Sequence, residues 1–157
     1  MRRASPVLYA EDDPNDVVLV QVALQRRQDI ALHYVRDGVE AIDYLAGREP
    51  FGDRRIYPLP ELILLDINMP RLSGFDVLAW LRKQPQLVTI PTVVVSSSEQ
   101  QSDINRAYEL GANAYVVKPS GFVRLQAVLL QSVDFFLLHS LHPLSGSQPQ
   151  PALRLRQ

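Results

Sequence analysis

Glu11 and Asp12, Asp66, Ser96 and Lys118 are the residues of this chain whose types and places could do chemistry. Each falls at the end of a short apolar run: residues 7–10, 61–65, 90–95 and 114–117 respectively. Three carboxylates brought together repel one another and raise each other's pKa values. A hard divalent cation relieves that repulsion. Mg2+ suits best, as an octahedral, oxygen-seeking ion bound through one or two carboxylates, waters and substrate phosphate. One ionised carboxylate can then act as a nucleophile toward a phosphoryl group. Lys118 and Ser96 are the available partners for the transferred oxygens. The residues alone point to a Mg2+-dependent phosphoryl acceptor or a phosphatase, and do not choose between them.

These residues are far apart in sequence, so the elements that carry them must bring them together. Residues 7–10, 30–35, 61–65, 90–95 and 114–117 read as five strands, apolar throughout rather than alternating. Helices are expected between and after them. The first follows Asp13-Pro14, an N-cap and a first-position proline, and runs to about Arg27. The second and third open on the capping-box patterns Asp37 to Glu40 and Ser73 to Asp76. The fourth spans about residues 100–110, with Gly111 as its C′ residue. The fifth is capped by Ser120 and carries Phe122, Leu125, Val128, Leu129, Val133 and Phe136. Residues 47–60, rich in proline and glycine, read as a loop-like insertion. Strands alternating with helices imply a parallel sheet covered on both faces. Right-handed crossovers keep all carboxyl ends on one edge, where ligands bind in open α/β sheets. The expected fold is a doubly wound (βα)5, flavodoxin-like sheet with strand order 2-1-3-4-5.

Composition narrows the alternatives. Of 157 residues 46% are hydrophobic and 21% charged, the profile of an ordinary globular protein. A net charge of −1 gives no reason to expect nucleic acid or a membrane surface as partner. Arg154 and Arg156 are too small a basic cluster to change that. Without cysteine, disulfides, thiolate catalysis and cysteine-bound metals are excluded. No apolar run approaches the ~20 residues of a membrane span. The basic start leads into too short an apolar stretch for a signal peptide, so a cytoplasmic location is expected. From Ser140 the composition turns to proline, glycine, serine and glutamine. The expected organisation is one domain over residues 1–139 and a tail or dimerisation arm over 140–157.

Four stretches together resemble the receiver domains of bacterial response regulators. They are VLYAEDDPND at residues 7–16, LLDINMP at 64–70 with Gly74, VVVS at 93–96 and GANAYVVKP at 111–119. The resemblance covers about residues 6–138. It implies that Asp66 accepts phosphate from a phosphohistidine on a sensor histidine kinase. It also implies that Asp12 and Asp66 bind Mg2+ directly, Glu11 through water, and Asn68 through its main-chain carbonyl. Ser96 corresponds to the hydroxyl that moves to the phosphoryl group, and Tyr115 to the aromatic that follows it. Lys118 would pair with the phosphate, and the Lys118–Pro119 bond would be cis. YPLP at 57–60, ELGANAY at 109–115 and DFFLL at 134–138 with Pro143 look like the small regulators paired with phytochrome-type kinases. Those are commonly homodimers and signal to a downstream protein by contact.

Two other functions compete. A Mg2+ phosphohydrolase with an aspartyl intermediate would need a second acid two residues after the nucleophile, where Asn68 stands. A dimeric binding module that is never phosphorylated would not need the intact acidic pair, Asp66, Ser96 and Lys118. Several polar residues have structural readings instead. Asp13 is a helix cap; Asp16 and Asp76 are helix-surface or capping residues. His33 is a surface or packing histidine. His139 and His142 lack further ligands to make a metal site. Ser97 and Ser98 cap the fourth helix. Phe135 and Phe136 divide between core and dimer packing.

Overall fold

The structure is a computed structural model that describes residues 3–139. The expected tail or arm over residues 140–157, with His142, Arg154 and Arg156, lies outside the described residues. Five strands, β1 (Ser5–Ala10), β2 (Ile30–Val35), β3 (Leu62–Leu65), β4 (Thr92–Ser96) and β5 (Ala114–Val117), alternate with five helices. The helices are α1 (Pro14–Leu24), α2 (Gly38–Ala46), α3 (Gly74–Arg82), α4 (Gln101–Glu109) and α5 (Phe122–Asp134). The strands pair in parallel in the order β2-β1-β3-β4-β5, as the apolar runs and crossovers require.

Alternate strand residues feed two cores, which explains why the strands are apolar throughout. Leu8, Ala10, Ile63, Leu65 and Val94 face α2, α3 and α4, packing with Ala41, Leu45, Phe75, Leu78 and Ala107. Val7, Tyr9, Leu62, Leu64, Val93 and Val95 face α1 and α5, packing with Val17, Val20, Leu125, Leu129 and Val133. Burial on both faces leaves the strand ends as the place where polar side chains can gather. No described helix is long and apolar enough to cross a membrane.

Local signals mostly do what their chemistry dictates. Asp13 caps α1 through the Asn15 N–H, and Ser73 and Asp76 form a complete capping box on α3. Gly111 follows α4 with φ 103°, the left-handed side that a residue without Cβ adopts freely. Residues 47–60 contain no helix or strand but are firmly attached. Phe51 and Tyr57 pack on the Tyr44 ring, and Arg54 donates to the carbonyls of Tyr44, Leu45 and Tyr57. His33 packs against Tyr44, and burial lowers its pKa, in keeping with a packing role. Phe136 is buried and Phe135 exposed, so the pair divides between core and surface.

Several local expectations are corrected, among them the capping box on α2, where Glu40 accepts from the Arg36 N–H and not from the cap Asp37. Helix α1 ends at Leu24 because the Arg27 N–H turns back to the Leu24 carbonyl, and its guanidinium is drawn to Asp29 and Asp134. The N-cap of α5 is Gly121, at φ 93°, and Ser120 makes no capping bond. On α4 the cap position is Gln100; Ser98 instead accepts from the Gln100 N–H and donates to Asp103 inside the turn. Among the described residues the cis peptide bond is Glu49–Pro50, and Lys118–Pro119 is trans. Only about 0.5–1 kcal/mol separates the isomers of an X–Pro bond, so sequence alone does not choose.

Candidate functional site at the carboxyl edge of the sheet

Backbone pairing delivers the site residues. The Asp66 N–H donates to the Ala10 carbonyl at 3.0 Å, which sets Asp66 beside Glu11. Across β4 and β5 the Lys118 N–H donates to the Ser96 carbonyl at 2.7 Å. Glu11, Asp66 and Lys118 each follow the last residue of a strand, and Ser96 is the last residue of β4. The loop after Asp66 turns at once, since the Asn68 N–H donates to Asp66 Oδ1 at 3.1 Å. Helix α3 then begins against the acceptor's own backbone. A Cβ on Gly74 would collide with the Asp66 carbonyl oxygen, so only glycine fits.

Burial and charge make this cluster unlike ordinary polar strand ends. Glu11, Asp66 and Ser96 are 1%, 5% and 0% exposed. Carboxylate oxygens of Glu11, Asp12 and Asp66 all lie within 4.8 Å of one another. Lys118 reaches into the group, with Nζ 2.6 Å from Glu11 Oε2, 2.8 Å from Asp16 Oδ2 and 3.3 Å from Asp66 Oδ2. Burial pushes the Glu11 carboxyl up to about 7; the bond from Lys118 pulls it down, and the Asp66 charge adds to the rise. Burial alone would lower Lys118, but bonds to Asp16 and Glu11 outweigh it and hold the ammonium above its ordinary pKa. Lys118 is therefore a fixed cation at neutral pH.

Every residue expected in the site is found at this edge except Tyr115, which stands one step away. Its phenol donates to the Ser98 carbonyl at 2.9 Å, while Ser96 Oγ accepts from the Ser98 N–H at 3.1 Å. Ser96 and Tyr115 thus hold opposite sides of one peptide-bearing residue in the β4–α4 loop. Two members went unrecognised in the sequence. Asp16, read as helix surface or cap, bonds Lys118 directly. Tyr9 donates its hydroxyl to Glu11 Oε2 at 3.2 Å from within the core, and its pKa is raised by burial and by Glu11. The one available signal for Asp16 was its position three residues after a cap, where an acid has a defined job.

An all-oxygen set of three carboxylates, one of them exposed, suits a hard divalent cation. A buried carboxylate beside a fixed ammonium suits capture of a phosphoryl group. The response regulator receiver domain matches residues 7–130, and the chain belongs to that family. It is a phosphoacceptor of two-component signalling, related to phytochrome response regulators. It is similar to response regulator Rcp1 of Synechocystis sp., with 35% identity over 136 residues, covering 86% of this chain and 90% of Rcp1. The Mn2+-bound structure of Rcp1 superposes with a TM-score of 0.80, 33% identity, and coverage of 88% of this chain and 99% of that one. The phosphorylated cyanobacterial phytochrome response regulator RcpA gives 0.83, with 33% identity over 89% of this chain and 99% of that one. The bacteriophytochrome response regulator RtBRR gives 0.70, with 38% identity over 93% and 84%. Receiver domains bind a divalent metal and interact with histidine kinases.

Proposed function

We propose that Asp66 is the phosphoacceptor, loaded from a phosphohistidine on a phytochrome-type sensor histidine kinase. The observation that carries this is the Lys118 ammonium 3.3 Å from a 5%-exposed Asp66 carboxylate. An Asp66 oxygen attacks phosphorus, the bond from phosphorus to the imidazole nitrogen breaks, and the electron pair returns to the imidazole. Lys118 and the Ser96 hydroxyl take the phosphoryl oxygens. Glu11, Asp12, Asp66 and the Asn68 carbonyl would hold Mg2+, which would neutralise carboxylate and phosphoryl charge. Ser96 accepts from the Ser98 N–H and Tyr115 donates to the Ser98 carbonyl, so a movement of Ser96 toward the phosphoryl group would disturb the residue that Tyr115 holds. That shared dependence on Ser98 supports the pair as a switch that shifts the β4–α4 loop between two arrangements.

Residues 1–139 form the receiver unit in this reading, residues 140–157 serve as tail or dimerisation arm, and a cytoplasmic homodimer passes the signal to a downstream protein. The test is incubation with acetyl phosphate and Mg2+ followed by intact-mass measurement. A phospho-adduct lost in Asp66→Asn supports the acceptor role. Multiple turnover of acetyl phosphate would make the chain a hydrolase, and no adduct from any donor would sink the proposal. Sedimentation of the chain with and without residues 140–157 tests the arm.

A further inference from the structure

Lys118 has three ammonium protons, and three carboxylates take them: Glu11, Asp16 and Asp66. Glu11 and Asp66 belong to the group of oxygens that could hold a cation, and Asp16 does not. Its carboxylate serves Lys118 alone among the described bonds. How it comes to do so is visible in the first turn of α1. Asp16 stands three residues after the cap Asp13, the place from which an acid ordinarily turns back to the cap's own N–H. In α3 Asp76 makes that return bond to Ser73. In α1 the Asp13 N–H is given to Glu11 Oε1 instead, at 3.1 Å, which leaves Asp16 free to cross to Lys118. Val17 and Val20, buried in the core beneath α1, fix the rotation of the helix that carries Asp16.

We propose that Asp16 is a positioning residue that holds Lys118 back from Asp66 and so restrains capture of a phosphoryl group. The inference rests on Asp66 being the acceptor. Nζ lies 2.6 Å from Glu11 Oε2, 2.8 Å from Asp16 Oδ2 and 3.3 Å from Asp66 Oδ2, so the ammonium rests nearer Glu11 and Asp16 than Asp66. A phosphoryl group arriving on Asp66 must win Lys118 from Asp16. The Asp16 charge also repels an anionic phosphoryl group across the same pocket. An amide of the same shape removes both effects, while a longer acid keeps the charge and misplaces it.

The probe is beryllofluoride, a mimic of the transferred phosphoryl group, titrated calorimetrically with Mg2+ into the intact chain. Asp16→Asn is expected to bind it about fivefold more tightly than the wild type, the factor carried by one partly buried ion-pair contact. Asp16→Glu is expected to lie between the two. In metal-free protein the Lys118 ammonium protons, followed by nitrogen-15 NMR, should exchange with water faster in Asp16→Asn. This second reading needs no ligand and is not moved by a merely structural loss elsewhere. Affinity unchanged within twofold, or weakened, in a folded Asp16→Asn protein would overturn the restraint, as would unaltered exchange at Lys118. Wild-type protein that binds no beryllofluoride, or binds it equally in Asp66→Asn, would instead overturn the acceptor assignment on which the restraint rests.

Discussion

Arg71 grips a single oxygen of Asp37, with Nε at 3.0 Å and Nη2 at 2.7 Å from Oδ2. The pair ties the turn after the proposed acceptor to the start of α2, and Arg71 adopts a left-handed φ of 67° to make it. Asp37 carries more than the ion pair, since its other oxygen caps α2 through the Glu40 N–H at 2.8 Å. Burial would raise its pKa, but the Glu40 and Arg71 bonds bring it below the ordinary value. Its contribution to stability is therefore present at neutral pH and lost as acid protonates it.

Asp37→Ala should cost about 1–3 kcal/mol by urea denaturation, combining a lost cap with an unpaired neighbour. Arg71→Gly should cost less than about 1 kcal/mol. The Arg71 side chain is 57% exposed, and glycine relieves the left-handed backbone. Equal losses in the two variants would show that the ion pair, not the cap, is what matters.

Gly74→Ala should destabilise the fold by about 1–3 kcal/mol, because the new methyl group meets the Asp66 carbonyl backbone rather than a movable side chain. It should also slow phosphorylation by acetyl phosphate by displacing the Asp66 loop. Wild-type melting behaviour in this variant would show that α3 can stand off from that loop.

Glu11 binds a proton more tightly in the folded chain than in the unfolded one, with its carboxyl raised from 4.5 to about 7. Taken alone, its contribution to stability is full below about 4.5 and is lost as pH rises through about 7. A divalent cation competes with that proton. Metal-induced stabilisation in thermal melts should therefore grow between pH ~6 and pH ~8. Glu11→Gln should flatten the dependence. A metal effect independent of pH over that window would contradict the shift.

Tyr115→Phe removes the bond to the Ser98 carbonyl and should cost about 0.5–1.5 kcal/mol. Hydrogen exchange should quicken across residues 97–100, since the Ser98 backbone would then keep only its N–H bond to Ser96 Oγ among the described bonds. Unchanged exchange there would separate Tyr115 from the loop it is proposed to follow.

The order of elements was legible because the strands are short, largely apolar runs, four of which stop on a polar residue at one edge of the sheet. Ser73 and Asp76 could be read because both halves of a capping box are local. Asp37 and Glu40 share that pattern, yet the return bond from Glu40 goes to the Arg36 N–H, one residue away from the cap. Asp16 could not be placed for a related reason. Its spacing fits a local cap, while its partner Lys118 is 102 residues distant and the local N–H is already taken by Glu11. Tyr9 looked like one more strand residue, and only the fold shows its hydroxyl reaching the end of its own strand. What sequence conveys poorly is competition, where a distant group outbids the neighbour a side chain was expected to serve.

Chemical trapping of the phosphorylated chain tests directly whether Asp66 is the acceptor. Protein loaded by acetyl phosphate with Mg2+ is reduced with borohydride, which converts an acyl phosphate to an alcohol, and the modified residue is then located by peptide sequencing. Reduction is expected at Asp66 alone. Reduction at Asp12, Asp16 or Glu11, or none in fully folded protein that retains the adduct, would contradict it.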